Sequence, residues 1–595
     1  MEELGQHWVF VTGCTHRRDT RKTSAYTELG PLFSKYTPIY SPFVTQPWPM
    51  DVPRFGLLAR LGLLIRAVIG TTVITEAYFN VSHVTFLSFS KISLDSADSP
   101  SLHIVLLMKL AMSLHDMFLN EFISRPFRFI LFTPAVFPLL RSIYRIFFHP
   151  LSHVPGPWFP ACTSTWLNYH AWVGDECTEV HKLHLKYGPI VRVGPNDVDI
   201  ADGEALNTIY VGKGGFRKAQ FYANFDIDGH KSIFSQIDAT ERASRAKAVL
   251  PLFSTSNLRA GSDTIYKCVD RMVVRMKEEA NTGKPVNILN LTRSLATDAV
   301  TAYLFDDNYG GLEETDGKLS ASGMVNAFVA VGRFFYLPSW MFQFMEWCHE
   351  KLFPDQEVNS SMSKVDSFVS AVVDRSKTEE KLKGNYPARL MENGFPPSEA
   401  RAQCKDLMFA GTDSTGMNLA TICFMLAKCP DKYARLRKEV LKRKTDEAEL
   451  HSLPYLRGVV REGLRLSMAN PSRLPRVVPQ PGWSFKSTFL PAGTIVSCTP
   501  FELHLNPDVF DDPHAFKPER WESPTNEMNR DSMWFGLGTR QCIARNLASM
   551  ELFCTVQRLV EENVLGGAHC CQERIEILEW FNSKVKNEKI ELVWS

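Results

Sequence analysis

The segment with the clearest capacity for chemistry lies near the C-terminus, at Phe535-Gly-Leu-Gly538-Thr-Arg540-Gln-Cys542-Ile-Ala544-Arg545. Its glycines let the backbone adopt positive φ and approach a flat ligand closely. Backbone N–H groups near the start of the following helical run favour the thiolate form of Cys542, and Arg540 can pair with a carboxylate. Cys542 is therefore a candidate iron ligand. The alternative interpretation is a structural cysteine in a glycine-rich loop.

A second candidate lies inside a long apolar helical pattern at 400–428, where Ala410-Gly411-Thr412-Asp413-Ser414-Thr415 interrupts the apolar residues. Glycine weakens a helix by roughly 1 kcal/mol relative to alanine. The hydroxyl groups can bond backbone carbonyls in place of the helix's own N–H groups. Together these residues can open a groove in a buried helix, and the alternative is a packing notch.

A third pattern is Glu462-Gly-Leu-Arg465, in which an acid and a base are three residues apart. This spacing places both side chains on one helix face, where they can pair. Helices carry such pairs by chance, so the pattern gains meaning only from its position upstream of the cysteine loop.

These residues are positioned by a chain of 595 residues with 45% hydrophobic and 22% charged residues, and a net charge of +1. That balance predicts a globular protein with a large core and gives no electrostatic case for nucleic acid as a partner. Helical patterns at 291–305, 365–376, 434–443 and 546–561, with a short strand at 190–193, predict a mostly α fold with minor β, an α+β arrangement. The 13 cysteines form no CxxC pair with zinc spacing and are predicted to be reduced thiols.

The first 148 residues predict a membrane-associated extension. Residues 1–124 are an N-terminal extension whose structure the sequence does not define, and 125–148 are a candidate membrane anchor. Arg128, Arg141 and Arg145 would have to snorkel or lie near the interface, because a spanning helix needs about 20 apolar residues. A buried or interfacial helix is the alternative. Pro155-Gly156-Pro157 predicts a rigid joint, so the catalytic body is assigned to 149–595.

The cysteine loop resembles the heme-binding signature of cytochromes P450, Phe-x-x-Gly-x-Arg-x-Cys-x-Gly, with Ala544 in the place of the last glycine. The resemblance runs from about Phe147 to Ser595 and is strongest to the trichodiene-oxygenase-like group of fungal secondary metabolism. It implies the cytochrome P450 fold, heme b as cofactor and Cys542 as the axial iron ligand. Phe535, Gly538 and Arg540 would belong to the heme-binding loop.

The same resemblance implies roles for the other patterns. Asp413 would relay protons and Ser414 would hydrogen-bond dioxygen. Glu462 and Arg465 would form a structural ion network with Arg520, from Pro518-Glu-Arg-Trp521. Two further residues are implied contacts of the heme propionates: Arg476 and Arg245. For the stretch around Arg245, which also holds Arg242 and Lys247, a solvated basic helix face is the alternative.

The implied function is a monooxygenase that oxidises an apolar secondary metabolite, a terpenoid, or alternatively a polyketide or alkaloid. Electrons would come from NADPH through a separate NADPH–cytochrome P450 reductase, since no GxGxxG follows a predicted strand. The expected location is the endoplasmic reticulum membrane with the body facing the cytosol. In that topology the sequons at Asn290 and Asn359 are unused, and a third is at Asn80. Two alternatives remain: a reductase-independent isomerase, dehydratase or peroxygenase, and a non-catalytic heme sensor.

Overall fold

The computed structural model describes residues 126–315, 319–446 and 452–594. These residues belong to one compact unit, His115–Ser595. The predicted extension at 1–124 lies outside the described residues, and so does its sequon at Asn80.

Helices make up most of the described chain, which confirms the predicted mostly α fold with minor β. They are α1 (Pro126–Phe147), α2 (Trp158–Cys162), α3 (Thr165–Val173), α4 (Glu176–Tyr187), α5 (Ala239–Val249), α6 (Thr255–Ala260), α7 (Ser262–Ala280), α8 (Ile288–Phe305), α9 (Ser320–Val331), α10 (Ser339–Leu352), α11 (Gln356–Thr378), α12 (Tyr386–Glu392), α13 (Pro397–Lys428), α14 (Pro430–Asp446), α15 (Pro454–Ser467), α16 (Pro500–His504), α17 (Asn526–Asp531) and α18 (Arg545–Glu561).

The strands are short and form small sheets at the edges of the helical body. They are β1 (Ile190–Arg192), β2 (Asp197–Ile200), β3 (Arg217–Lys218), β4 (Val286–Asn287), β5 (Arg476–Val477), β6 (Gly482–Phe485), β7 (Thr488–Pro491), β8 (Ile495–Ser497), β9 (Ala568–Cys570), β10 (Ile577–Leu578), β11 (Lys584–Val585) and β12 (Glu591–Trp594). The largest sheet has the order β1-β2-β8-β5-β3. In it β2 and β8 are parallel and the other neighbours are antiparallel. A second sheet has the order β4-β12-β9.

Helix α13 is the central element of the body. Its first residue is Pro397, which suits a first helical turn because proline needs no N–H partner there. It ends at Lys428, just before Pro430 begins α14. Most of α13 is buried, and it packs against α8, α11, α12, α15 and α18. The helix predicted at 400–428 is confirmed, and so are the helices predicted around 291–305, 365–376, 434–443 and 546–561.

The candidate anchor at 125–148 coincides with α1. Its last turns contact the body: Arg145 Nη1 donates to the Cys162 carbonyl at 2.5 Å, and the Arg145 carbonyl accepts from Arg192 Nη1 at 2.8 Å. Among the described residues, no helix combines the length and the apolar character needed to cross a membrane.

Candidate active site

The Cys542 loop is a short, tightly packed connection between a helical turn at Gly538–Arg540 and α18. The Cys542 N–H donates to the Phe535 carbonyl at 2.8 Å, which closes the loop on itself. Gly538 has φ of 65°. A Cβ at this position would lie 2.0 Å from the Tyr210 carbonyl oxygen, so only glycine fits here.

Cys542 lies deep in the protein and still has exposed surface. Burial raises the pKa of its thiol, although the backbone N–H of Ala544 and the charge of Arg545 act in the opposite direction. The thiol is surrounded by protein, and yet the residue has accessible surface. This combination is expected for a side chain that faces an internal space. Cys542 is thus placed to bind a group held inside the body.

Helix α13 also has exposed surface within its buried middle. Ala410 is exposed and Gly411 and Ser414 are half-buried, whereas the residues on either side of this stretch are mostly buried. Positions 410, 411 and 414 share one face of a helix. A Cβ on Gly411 would lie 3.0 Å from Val300 Cγ2 of α8, so the opening on this face lies beside Ala410 and Ser414.

The two adjacent polar residues of α13 point to different partners. Asp413 is 1% exposed, and its Oδ1 accepts from Arg293 Nη2 at 3.1 Å. Burial raises the pKa of the Asp413 carboxyl, although Arg293 and Asn582 lower it. Ser414 Oγ donates instead to Asn470 Oδ1 at 3.2 Å. The two residues are adjacent in sequence, but their side chains have separate partners. Asp413 is directed toward Arg293 on α8, and Ser414 is directed toward Asn470.

The predicted ion network is present in the structure. Arg465 donates to Glu462 through Nε at 2.9 Å and Nη2 at 2.7 Å, and Arg520 Nε donates to Glu462 Oε1 at 3.1 Å. Trp521 Nε1 also donates to Glu462, at 2.8 Å. Glu462 and Arg465 are fully buried. The network joins α15 to the segment that leads into the cysteine loop.

A cluster of cations lies beside the loop, and we call it the cation cluster: Lys218, Arg242, Arg476 and Arg540. Burial, together with the charges of Arg242 and Arg476, lowers the pKa of Arg540 to about 10. Burial also holds the pKa of Lys218 well below its usual value, with the charges of Arg476, Arg540 and Arg242 acting in the same direction. Like charges that repel one another in a buried position favour an anionic ligand between them.

Two members of the cation cluster, Arg476 and Arg540, donate to neutral groups. Arg540 donates to the carbonyls of Gln236 at 2.6 Å and Ile237 at 2.7 Å. Arg476 Nη1 donates to the hydroxyl of Tyr222 at 3.1 Å. These contacts orient the two guanidinium groups without supplying a negative charge.

Arg245, the residue of α5 that the sequence analysis assigned to a heme propionate, pairs with a carboxylate outside the cation cluster. Its Nε donates to Glu399 Oε1 at 2.6 Å, in a part-buried ion pair. It is Arg242, three residues earlier on α5, whose charge acts on Arg540 and Lys218. Both arginines are visible in the sequence, but which of them faces the cation cluster depends on how α5 packs against the body.

A surface depression lies behind the cysteine loop. It has a volume of about 450 Å³. Part of its wall is the loop itself, through Phe535, Gly536 and Gln541. Three arginines also line it: Arg457, Arg461 and Arg545. No carboxylate of the described residues forms an ion pair with any of the three.

Comparisons with known proteins agree with this site. Residues 155–563 match the family model Cytochrome P450. The chain is 40% identical over 491 residues to cytochrome P450 monooxygenase mfmF of Annulohypoxylon moriforme, which covers 78% of this chain and 99% of that protein. It is 28% identical to fusicoccadiene C-8 hydroxylase of Alternaria brassicicola, over 71% and 86% of the two chains. It is 27% identical to cytochrome P450 monooxygenase TRI4 of Trichoderma arundinaceum, over 72% and 86%.

A cysteine in a glycine-flanked loop of a mostly helical body fits the heme-thiolate class of proteins. The extent of the family match and of the identity then shows that the chain belongs to the cytochrome P450 family. It is a monooxygenase of the kind found in fungal secondary metabolism.

The family implies heme iron, and the residues present fit this group. The thiol of Cys542 has exposed surface inside the body, so it could hold the heme iron. The cation cluster supplies positive charge for two carboxylates. Among the described residues, no set of three or more His, Cys, Asp or Glu side chains is grouped to hold a metal ion.

Proposed function

We propose that this monooxygenase hydroxylates or otherwise oxidises an apolar secondary metabolite, using dioxygen and electrons from NADPH that arrive through a separate reductase. The observation that carries the proposal is the inward-facing Cys542 beside the cation cluster. Heme b is the cofactor, with Cys542 as the iron ligand. When bound, the heme activates dioxygen for insertion into a C–H bond.

The chain's own residues bind and orient the cofactor. Burial raises the pKa of the Cys542 thiol, while the N–H of Ala544 and the charge of Arg545 act in the direction of the thiolate that iron would bind. We assign the contacts to the heme carboxylates to Arg476, Arg540, Arg242 and Lys218. Arg242 takes the place that the sequence gave to Arg245, because Arg245 is engaged with Glu399.

Proton delivery is the role proposed for Asp413 and Ser414. Asp413 holds a proton when its carboxyl leaves Arg293, and Ser414 Oγ can pass it toward dioxygen. Ser414 is half-buried on the face of α13 that also carries Ala410, so its hydroxyl borders the internal space. This pair supports a monooxygenase over an isomerase or dehydratase, since those reactions require no proton delivery to dioxygen.

NADPH–cytochrome P450 reductase is the proposed electron donor, and the arginine-lined depression is its proposed docking site. Arg457, Arg461 and Arg545 present positive charge directly behind the Cys542 loop. Such a surface attracts an acidic partner and speeds its association at low ionic strength.

A terpenoid is the proposed substrate class. One of the relatives supports it by name, since it is a fusicoccadiene C-8 hydroxylase. Ala410 leaves room beside α13 for a bulky ring system, because it is exposed and has a small side chain. Polyketides and alkaloids remain alternative substrates.

The proposed location is the endoplasmic reticulum membrane, with the body facing the cytosol. Large aromatic side chains lie exposed on three helices, α2, α3 and α10. Helix α2 contacts α3, and α3 contacts the helical turn at Gly332–Phe334 that precedes α10. The exposed aromatic residues are Trp340, Phe344, Trp347, Trp158, Tyr169 and Trp172. Tryptophan and tyrosine suit the membrane–water interface, so we propose that this aromatic surface rests in the lipid headgroup region.

The first experiment is a carbon monoxide difference spectrum of the reduced protein beside its Cys542→Ala variant. We expect a red-shifted Soret band in the native protein and its loss in the variant. A heme-loaded native protein without that band would refute thiolate ligation.

Incorporation of ¹⁸O from ¹⁸O₂ into product then separates the alternatives. A labelled product supports the monooxygenase. An unlabelled product supports the isomerase, and heme binding without reductase-dependent NADPH consumption supports the sensor.

A further inference from the structure

Residues 231–237 form a loop between the helical turn at Gln220–Phe225 and the start of α5, and we call them the bridging loop. The loop is largely buried, and Ser232, Ser235 and Gln236 are each 1% exposed. Buried backbone groups need hydrogen-bond partners within the protein. The partners of this loop come from two separate regions, the first half of α13 and the cation cluster.

On one side, the bridging loop is held by the side-chain amide of Gln403, on α13. Gln403 Oε1 accepts from the Ile233 N–H at 3.1 Å, and Gln403 Nε2 donates to the Lys231 carbonyl at 2.9 Å. The Gln403 residue is 1% exposed. One buried amide therefore binds both a donor and an acceptor of the loop backbone, which fixes the position of the loop relative to α13.

Asp406 holds the same loop from the same face of α13, since it lies three residues after Gln403. The side chain of Ser232 hydrogen-bonds the Asp406 carboxyl. Ser232 Oγ also accepts from the N–H groups of Phe234 at 3.2 Å and Ser235 at 3.0 Å. Ser232 therefore links the backbone of the loop to the acid on α13, and the loop has two buried anchors on that helix.

On its other side, the bridging loop accepts hydrogen bonds from two members of the cation cluster. Lys218 Nζ donates to the Phe234 carbonyl at 2.6 Å. Arg540 donates to the carbonyls of Gln236 at 2.6 Å and Ile237 at 2.7 Å. Hydrogen bonds from a charged donor are short and strong, so the position of these three carbonyls decides where the two cations point.

Asp406 also interacts with Lys218 through charge. Burial and the charges of Arg476, Arg540 and Arg242 lower the pKa of Lys218, and the Asp406 carboxylate acts in the opposite direction. Lys218 in turn lowers the pKa of Asp406, against the effect of burial. Such an interaction is screened less in a protein interior than in water. The anchor on α13 and the cation cluster are therefore close neighbours.

We propose that Gln403 and Asp406 are positioning residues for heme binding: they fix the bridging loop, whose carbonyls aim Lys218 and Arg540 at the heme carboxylates. The inference rests on the proposed function, which assigns those two cations to the heme. Both residues act on the heme only through the loop. Without the anchor, the carbonyls no longer hold the two cations in place, and the heme is bound less tightly while Cys542 keeps its own surroundings.

The anchoring is tested by hydrogen–deuterium exchange in the full-length, heme-loaded protein. Gln403→Leu removes both contacts with the loop backbone, so the amides of residues 231–237 should exchange several-fold faster. The matched control is Asn418→Leu, which removes another buried amide of α13, one that accepts from Ser467. It should leave exchange in the bridging loop unchanged. Native exchange of the loop in Gln403→Leu overturns the anchoring.

The effect on the heme is tested by resonance Raman bands of the heme propionates and by the rate of heme transfer to apomyoglobin. Gln403→Leu should shift the propionate bands and speed heme loss several-fold, while its carbon monoxide spectrum stays native. Asn418→Leu should change neither the bands nor the rate. Faster exchange in the loop together with native propionate bands and native heme loss overturns the role in heme binding.

Asp406 provides a second pair of variants. Asp406→Ala leaves Ser232 without its partner and should shift the propionate bands as Gln403→Leu does. Asp406→Asn keeps an acceptor oxygen and should stay closer to the native bands. Should Gln403→Leu not fold, this pair decides the question, and native bands in Asp406→Ala then overturn the proposal. A native protein without the thiolate band refutes the proposed function instead, and the exchange result stands independently of it.

Discussion

Some residues of the site can be recognised from the local sequence around them, whereas others have a role that depends on how distant elements pack. Cys542, with glycines before it and a helix after it, is identifiable from sequence because its role depends on local conformation. Arg242 and Arg245 are not separable in this way, because both lie on one helix and only its rotation decides which faces the cation cluster. Arg293 offered one signal, a charged residue within an apolar helical pattern, but its partner lies 120 residues away.

The assignment of Arg242 predicts different outcomes for two neighbouring variants. Arg242→Leu should lower the heme content of the purified protein several-fold, because the cation cluster loses one charge that faces the heme carboxylates. Arg245→Leu should retain near-native heme content. The heme-to-protein absorbance ratio measures both, and equal losses in the two variants would contradict the assignment.

The buried network around Glu462 predicts a large loss of stability. Glu462→Gln leaves Arg465 and Arg520 without their carboxylate partner, which should cost about 3–5 kcal/mol of unfolding free energy. Urea denaturation measures it. Lys517→Met, which removes a solvent-exposed pair with Asp511, is the control and should change stability far less.

At the scale of elements, the longer helices were predictable, whereas the way in which one helix packs on another was not. The spacing of apolar residues located α8, α11, α13, α14 and α18, because burial of one face or of a whole helix leaves a periodic pattern. The angle and separation at which two helices pack leave no such pattern. The approach of α8 to α13 at Gly416 is therefore visible only in the structure.

Replacing Gly416 should destabilise the packing of α13 against α8. A Cβ at this position would lie 2.9 Å from Arg293 Cα. Gly416→Ala forces a methyl group against the backbone of Arg293, and overpacking of this kind costs about 1–3 kcal/mol. Gly411→Ala meets mainly the side chain of Val300, with the closest approach at 3.0 Å, and should cost less because a side chain can shift. Thermal unfolding of the two variants compares them, and a smaller loss for Gly416→Ala would contradict the close approach.

For the whole molecule, buried carboxyls make stability depend on pH. Burial raises the pKa of Asp406 to about 7, while Ser232 and Lys218 lower it and Asp226 raises it. An acid with a raised folded pKa stabilises the fold fully below its unfolded pKa of about 3.9, and that contribution is lost as pH rises to about 7. Asp406→Asn should therefore gain stability relative to the native protein between pH 5 and 8, as measured by urea unfolding. A constant difference would contradict the shift.

The aromatic surface predicts lipid binding by the whole protein. Trp340→Ser with Trp347→Ser should weaken co-sedimentation with phosphatidylcholine vesicles, because two large side chains that favour the interface are lost. Leu185→Ser removes an exposed apolar side chain on α4, outside that surface, and serves as the control. Equal binding by all three proteins would contradict the proposed orientation.

The division of α13 into two faces has a consequence for how such an enzyme can diversify. Ala410 is exposed on one face of α13, whereas Gly411 meets Val300 of α8 and Asp413 contacts Arg293 and Asn582. If the proposed substrate space lies beside Ala410, substitutions there can reshape what the enzyme accepts while the contacts of Asp413 stay in place. A library varied at position 410 is then the economical place to search for new substrate ranges.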